Sequence, residues 1–264
     1  MQDLKILALQ ANLIWENPEA NRQAFRKLIE KHLDEHHLIL LPETFTTGFP
    51  VNPKIFAETT AGTTMNWMKN MAVTSGAVVA GTLLLENDSG YANTLVWMSP
   101  DGDYRLYEKR HVFSMGGEDK RIQSGDRQLI VELNGWKIKP MICYDLRFPV
   151  WSKNRYLNQE FEYDLALYLA NWPSVRSYPW RQLLIARAIE NLAYVIGVNR
   201  VGNDDLGFDY NGFTMVLDAK GKVLAQGDEN RETAVSVLLS KDELVRFREK
   251  FNVAPDWDDF EFRN

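Results

Sequence analysis

Hydrophobic and polar residues change their spacing repeatedly along this chain, and each change marks a predicted element. The apolar stretch within Met1–Asn12 suits a strand. Asn17-Pro18 then supplies a helix N-cap and a first-turn proline, and Ala24, Phe25, Leu28, Ile29 and Leu33 recur at helical spacing as one apolar stripe. One stripe predicts a helix lying on a sheet. Leu38-Ile-Leu-Leu-Pro-Glu43 is a short continuous apolar run, which predicts a strand buried on both faces that ends at a carboxylate. A second helix is expected from Thr63 to Met71, stopped near Gly76, ahead of the strand Ala77–Leu85.

Two strands flank Pro100-Asp-Gly-Asp103, the second being the alternating run Tyr104–Phe113. Asn134-Gly135 predicts a two-residue hairpin turn between Leu129–Leu133 and Trp136–Cys143. The strand Asp164–Ala170, the helix Tyr178–Ala193 and the strand Tyr194–Val198 repeat a βαβ theme. A hairpin around Asp218-Ala-Lys-Gly221 follows, and Ser240-Lys-Asp-Glu243 reads as a capping box opening a final helix. Mixed strands with single-striped helices argue for an α/β protein whose sheets are covered on their outer faces.

Composition narrows the function classes. No Pro/Gly/Ser-rich linker divides the 264 residues, so residues 1–264 are expected to form a single domain. A net charge of −6 argues against a broad basic face for nucleic acid or anionic lipid, and favours a small-molecule substrate. No window approaches the roughly 20 apolar residues of a membrane-spanning helix. The N-terminus lacks the basic leader of a signal peptide. The single cysteine forms no internal disulfide, and a cytoplasmic location is expected. The 13 Phe, 10 Tyr and 8 Trp are assigned mostly to the core.

That cysteine, Cys143, closes the apolar run Trp136–Ile142 and precedes the polar turn Tyr144-Asp-Leu-Arg-Phe-Pro149. A strand giving way to a turn holds a side chain at the rim of a sheet, where it can meet a substrate. A free cysteine is also an ordinary small buried hydrophobe, and that reading stands beside the first. Glu43 ends a buried strand as either a proton acceptor or a loop cap. Lys109 ends another strand, either functional or solvated within Lys109-Arg-His111. Of the four histidines, His32 and His36 are four apart on the predicted first helix. Without further ligands they read as a solvated helix end, and no metal is expected. No Gly-rich phosphate loop opens a helix, so no nucleotide or other cofactor is expected.

Leu41-Pro-Glu43-Thr-Phe, Tyr107-Glu-Lys109-Arg-His and Ile142-Cys143-Tyr-Asp-Leu-Arg-Phe-Pro149 resemble, in order and spacing, the Glu, Lys and Cys signatures of the nitrilase superfamily, the carbon–nitrogen hydrolases. The resemblance continues through Tyr168-Leu-Ala-Asn-Trp-Pro173 and Ala186-Arg-Ala-Ile-Glu-Asn191, and within the superfamily it is most similar to the omega-amidase branch. It implies a four-layer α-β-β-α sandwich, protomers that pair as homodimers, and a small amide as substrate. It also implies a second glutamate between the lysine and a downstream glycine. Glu118, in register with Gly125, fills that place, with Asp119 as the neighbouring alternative; its role would be to orient Lys109 and the substrate amide.

The residue types specify the chemistry expected. A thiol with a pKa near ~8.5 needs a base or a cation beside it to attack at neutral pH. Glu43 would take the proton of Cys143, return it to the leaving nitrogen, and later deprotonate water. Lys109 and the Tyr144 N–H would stabilise the oxyanion. The omega-amidase resemblance implies dicarboxylic monoamides such as 2-oxoglutaramate and 2-oxosuccinamate as substrates, and these need a cation for the remote carboxylate. Arg147 is the first candidate, unless it pairs with Asp145 to brace the turn, and Arg176 is the second. Tyr144, Trp172 and Phe113 complete the expected substrate contacts, with Trp172 alternatively a packing residue. Arg187 and Glu190 read as a structural i, i+3 pair. The rival readings are hydrolysis of N-carbamoyl compounds, short amides or nitriles, acyl transfer to an amine, a Cys143–His111 dyad, and a non-catalytic binding module.

Overall fold

The first strand, Leu4–Gln10, sets the architecture because both of its faces are apolar. Leu4, Ile6 and Ala8 point into one buried cluster, and Leu7 and Leu9 into another. The structure, a computed structural model, describes residues 2–33, 36–49 and 52–262. In chain order the strands are β1 (Leu4–Gln10), β2 (Leu38–Leu40), β3 (Val78–Asn87), β4 (Gly90–Met98), β5 (Tyr104–Glu108), β6 (Val131–Leu133), β7 (Trp136–Ile142), β8 (Tyr156–Leu157), β9 (Glu160–Phe161), β10 (Leu165–Ala170), β11 (Tyr194–Asn199), β12 (Val201–Asn203), β13 (Asp209–Asn211), β14 (Met215–Leu217), β15 (Val223–Gln226) and β16 (Thr233–Leu239).

Two six-stranded sheets result, ordered β16-β1-β2-β3-β4-β5 and β15-β14-β11-β10-β7-β6. Each has a parallel centre, β1-β2-β3 in the first and β7-β10-β11 in the second, with antiparallel strands at the edges. The helices are α1 (Pro18–Glu30), α2 (Pro53–Phe56), α3 (Thr63–Ser75), α4 (Pro149–Ser152), α5 (Ser177–Asn191) and α6 (Lys241–Lys250). Phe25 and Ile29 of α1 and Met65, Met68 and Met71 of α3 share the cluster on the outer face of the first sheet. Trp180, Leu184 and Ala188 of α5 cover the second sheet, whose other face meets the first. This is the α-β-β-α sandwich that the resemblance implies.

Local chemistry explains the boundaries. Asn17 caps α1 through its side chain, and Gly76 ends α3 in the left-handed region at φ 66°, so that helix runs four residues past the expected Met71. The Asn134-Gly135 turn has φ of 51° and 78°, the positive pair that a two-residue hairpin requires. Two expectations fail. Helix α1 stops at Glu30, because the chain turns to place His37 against β1, where its N–H donates to the Lys5 carbonyl at 2.8 Å. Leu33 therefore lies outside the stripe, 45% exposed, and His32 and His36 share no helix face; His36 bonds the Ser236 hydroxyl instead. The Ser240 side chain also makes no capping bond to α6; Asp242 and Glu243 supply the negative charge that suits the helix start.

Gly197 shows how closely α5 meets β11: a Cβ there would lie 2.5 Å from Leu184 Cδ1 and 2.7 Å from the Trp180 ring. Gly197→Ala is expected to lower stability by about 1–3 kcal/mol, the range for overfilling a packed core, read as a lower urea midpoint at unchanged slope.

Candidate active site

Ligands of open α/β sheets bind beyond the carboxyl ends of the strands. Four of these ends meet at one edge here: β2 leads to Glu43, β5 to Lys109, β7 to Cys143 and β10 to Asn171. The first two belong to one sheet and the last two to the other.

Glu43 is 1% exposed, and its carboxylate accepts from three donors. Oε1 accepts from Asn93 Nδ2 at 2.8 Å and from Lys109 Nζ at 2.9 Å, while Oε2 accepts from the Asn171 N–H at 2.9 Å. Asn171 Nδ2 also donates to the Glu43 carbonyl at 2.8 Å and to Thr44 Oγ1 at 2.7 Å. Glu43 is thus tied to both sheets and does not merely cap a loop. Lys109 is equally buried, not solvated, and its Nζ lies 3.0 Å from Glu118 Oε2 as well as against Glu43. Glu118, 2% exposed on a one-turn 3-10 helix, also accepts the Phe113 N–H; Asp119 beside it is exposed, which settles the register for Glu118. Gly125 donates its N–H to the Lys109 carbonyl at 2.9 Å, and a Cβ there would fall 2.3 Å from the Glu108 carbonyl oxygen. Only glycine fits that approach.

Cys143 begins a 3-10 turn, Cys143–Arg147, with φ at 38°, a conformation a β-carbon disfavours. Its thiol donates toward the Asn171 carbonyl, at 3.9 Å. The turn is braced by Asp145, fully buried, which accepts from the Ile142 N–H at 3.0 Å and the Tyr107 hydroxyl at 2.7 Å. Its other oxygen meets the His111 N–H at 3.0 Å and His111 Nδ1 at 2.8 Å. Arg147 is therefore not the partner of Asp145. Its guanidinium lies over the Trp172 ring, 4.9 Å from the centroid. Arg187 and Glu190 form the expected pair at 2.8 Å.

The buried charges set the protonation states. Burial alone pushes the Lys109 ammonium down, but the charges of Glu118 and Glu43 outweigh it and hold the group well above its ordinary value. Burial raises Glu118 above the usual carboxylate range; Lys109 opposes this and the charge of Glu43 adds to it. Burial, followed by the charge of Glu43, pushes the Cys143 thiol far up, with Lys109 pulling it back. The lysine stays charged and the resting cysteine is a neutral thiol.

A cavity of about 670 Å³ opens over these groups. Glu43, Lys109, Cys143, Tyr144, Arg147, Trp172, Arg176 and Phe113 all line it. Arg176 lies over the Phe113 ring, 5.5 Å from the centroid. Glu118 and His111 are not among the lining residues: Glu118 contacts Lys109, and His111 is stacked on Phe148 at 3.7 Å. Asn171, Asn93 and Arg121 were not anticipated. Asn171 had a signal, because a lone amide closes the wholly apolar strand β10 just as Glu43 follows β2.

The sequence profile of the carbon–nitrogen hydrolases matches residues 5–249. The chain is 42% identical to the omega-amidase YafV of Yersinia enterocolitica, over 98% of its own length and 99% of that protein's. It is 30% identical to the 2-oxoglutaramate amidase of Bacillus subtilis, covering 95% and 96% of the two chains. A crystal structure of XC1258 from Xanthomonas campestris, a CN-hydrolase superfamily protein with an arsenic adduct in its active site, superposes with a TM-score of 0.97 at 39% identity over all of both chains. By sequence and by fold, this chain belongs to the carbon–nitrogen hydrolase family.

Proposed function

We propose that the chain is an omega-amidase, hydrolysing the omega-amide of small dicarboxylic monoamides such as 2-oxoglutaramate and 2-oxosuccinamate to the acid and ammonia. The observation that carries this reading is one cavity holding Cys143, Glu43 and the Lys109 ammonium beside two arginines that lie over aromatic rings. The likeness to the Yersinia omega-amidase and the Bacillus 2-oxoglutaramate amidase supports the same substrate class.

In this mechanism the proton leaves Cys143 as its sulfur attacks the amide carbon, because the resting thiol is neutral, and Glu43 receives it. The oxyanion forms against Lys109 Nζ and the Tyr144 N–H. On collapse the C–N bond breaks, Glu43 passes its proton to the nitrogen, and ammonia departs from a Cys143 thioester. Glu43 then deprotonates water, whose oxygen attacks the thioester carbon, and the proton returns to the sulfur as the acid leaves. Glu118 keeps Lys109 in place throughout. Two carboxylates already engage Lys109, so the substrate carboxylate falls to a cavity arginine, Arg147 first and Arg176 second, with Arg121 also on the lining; among the described residues none of the three has a salt bridge to an acidic side chain.

We further read residues 1–264 as one catalytic domain, consistent with the span of the family profile, and the protomer as half of a homodimer, for which exposed Tyr178 and Ile189 on α5 offer apolar surface. An unpaired thiol used in this way suits a reducing compartment such as the cytoplasm.

Titration gives the first test. With its pKa raised, Cys143 should show no ultraviolet thiolate band below about pH 8.5, measured as the difference between the wild type and Cys143→Ala. A band at neutral pH would mean a preformed ion pair and no need for Glu43 as base. Steady-state kinetics give the second. Glu43→Gln should lower kcat on the order of a hundredfold or more, and Lys109→Met should raise the barrier by at least ~2.7 kcal/mol. Lys109→Met should also lower the melting temperature, since Glu43 and Glu118 would then face each other without a cation. Full activity in either variant would remove that residue from the mechanism. Arg147→Ala should raise KM for dicarboxylic monoamides far more than for an uncharged short amide. Equal losses would transfer the test to Arg176, and if neither arginine discriminates, the omega-amide reading gives way to a broader amidase.

A further inference from the structure

The proposed groups come from two sheets, so something must fix the position of one sheet against the other at this edge. Two polar contacts cross the seam there. Asn171 of the second sheet bonds Glu43 and Thr44 of the first. On the other side of Cys143, Asp145 reaches from the cysteine turn to the segment that carries Lys109. Tyr107, two residues before the lysine, donates to Asp145 Oδ2, and His111, two residues after it, meets Oδ1 through its N–H and its ring. The same Oδ2 accepts the Ile142 N–H, immediately before the strained Cys143. A fully buried carboxylate with two of its ligands flanking one group and a third beside the other is placed to set their separation.

We propose that Asp145, through Tyr107 and His111, is a positioning residue that sets the spacing between the oxyanion-binding lysine and the nucleophile. This rests on the roles given above to Lys109 and Cys143. Asp145 is fully buried and is not among the residues that line the cavity. It acts because the charge of Lys109 stabilises an oxyanion on the Cys143 adduct only at the right distance, and a displacement of about 1 Å can lower a rate on the order of a hundredfold. Trp151 supports the arrangement by donating its indole N–H to the Tyr107 hydroxyl at 2.9 Å, and the Phe262 ring packs on Trp151 at 5.0 Å.

The test is kinetic. Tyr107→Phe keeps the ring and removes the bond to Asp145 together with the one from the Trp151 indole. It should lower kcat by on the order of tenfold with KM nearly unchanged, since Arg147 and Arg176 are untouched, and Asp145→Asn should lower kcat by on the order of a hundredfold. Both are measured on protein shown to be folded by circular dichroism. The rate of Cys143 alkylation by iodoacetamide, which builds no oxyanion, should change much less than kcat in both. If Tyr107→Phe lowers only the melting temperature and leaves kcat intact, the clamp is structural and the proposal fails, whether or not Asp145→Asn folds. Alkylation falling in step with kcat would likewise overturn it. Cys143→Ala separates this from the parent reading: ammonia release surviving in that variant would sink the thioester mechanism itself.

Discussion

Everything at this site depends on one buried ammonium held between two buried carboxylates. Lys109 is 1% exposed, and an isolated charge there would face a desolvation penalty of several kcal/mol or more. Glu43 and Glu118 make its burial tolerable, and by doing so they fix where each group can sit. The arrangement carries one more negative than positive charge when both carboxylates are ionised. The two carboxylates keep the lysine charged, while burial first, with the charge of Glu43 adding to it, raises both Glu118 and the Cys143 thiol. In such an environment a free thiolate is disfavoured, so under the proposed mechanism proton transfer from sulfur to Glu43 would accompany attack on the substrate and not precede it.

The parallel strand centres explain how a chain can meet these demands. Their shared direction brings several strand ends to one edge, where short turns with positive φ at Thr44 and Cys143 aim side chains sharply into the cavity. Buried strands provide stiffness, and the turns provide direction. Two cavity arginines sit over aromatic rings, Arg147 over Trp172 and Arg176 over Phe113, so their charges are held beside the apolar wall.

Much of this was legible in the sequence because strong periodicity and abrupt strand ends are local properties. The apolar runs before Glu43 and Cys143 read as strands, and Asn134-Gly135 read as a hairpin, all from neighbouring residues. What escaped were long-range contacts. Nothing near Leu33 says that the chain must leave its helix at Glu30 to lay His37 on Lys5, and nothing near Asp145 says that its partners lie 34 and 38 positions earlier. An adjacent arginine looked like the natural partner of Asp145, yet a buried carboxylate is satisfied by whatever donors the packed sheets bring to it. Asn93 escaped for the same reason: its place in β4 is plain, but the carboxylate it serves lies 50 residues away.

The division of the site between two sheets has a consequence for how the protein comes into being. Glu43 and Lys109 close one sheet and Cys143 and Asn171 the other, so neither half holds a working cavity before they dock. Until then the lysine and its carboxylates remain hydrated, and the cysteine keeps the acidity of an ordinary exposed thiol. Recovery of activity during refolding therefore dates the docking of the sheets, which the growth of secondary structure alone would not report.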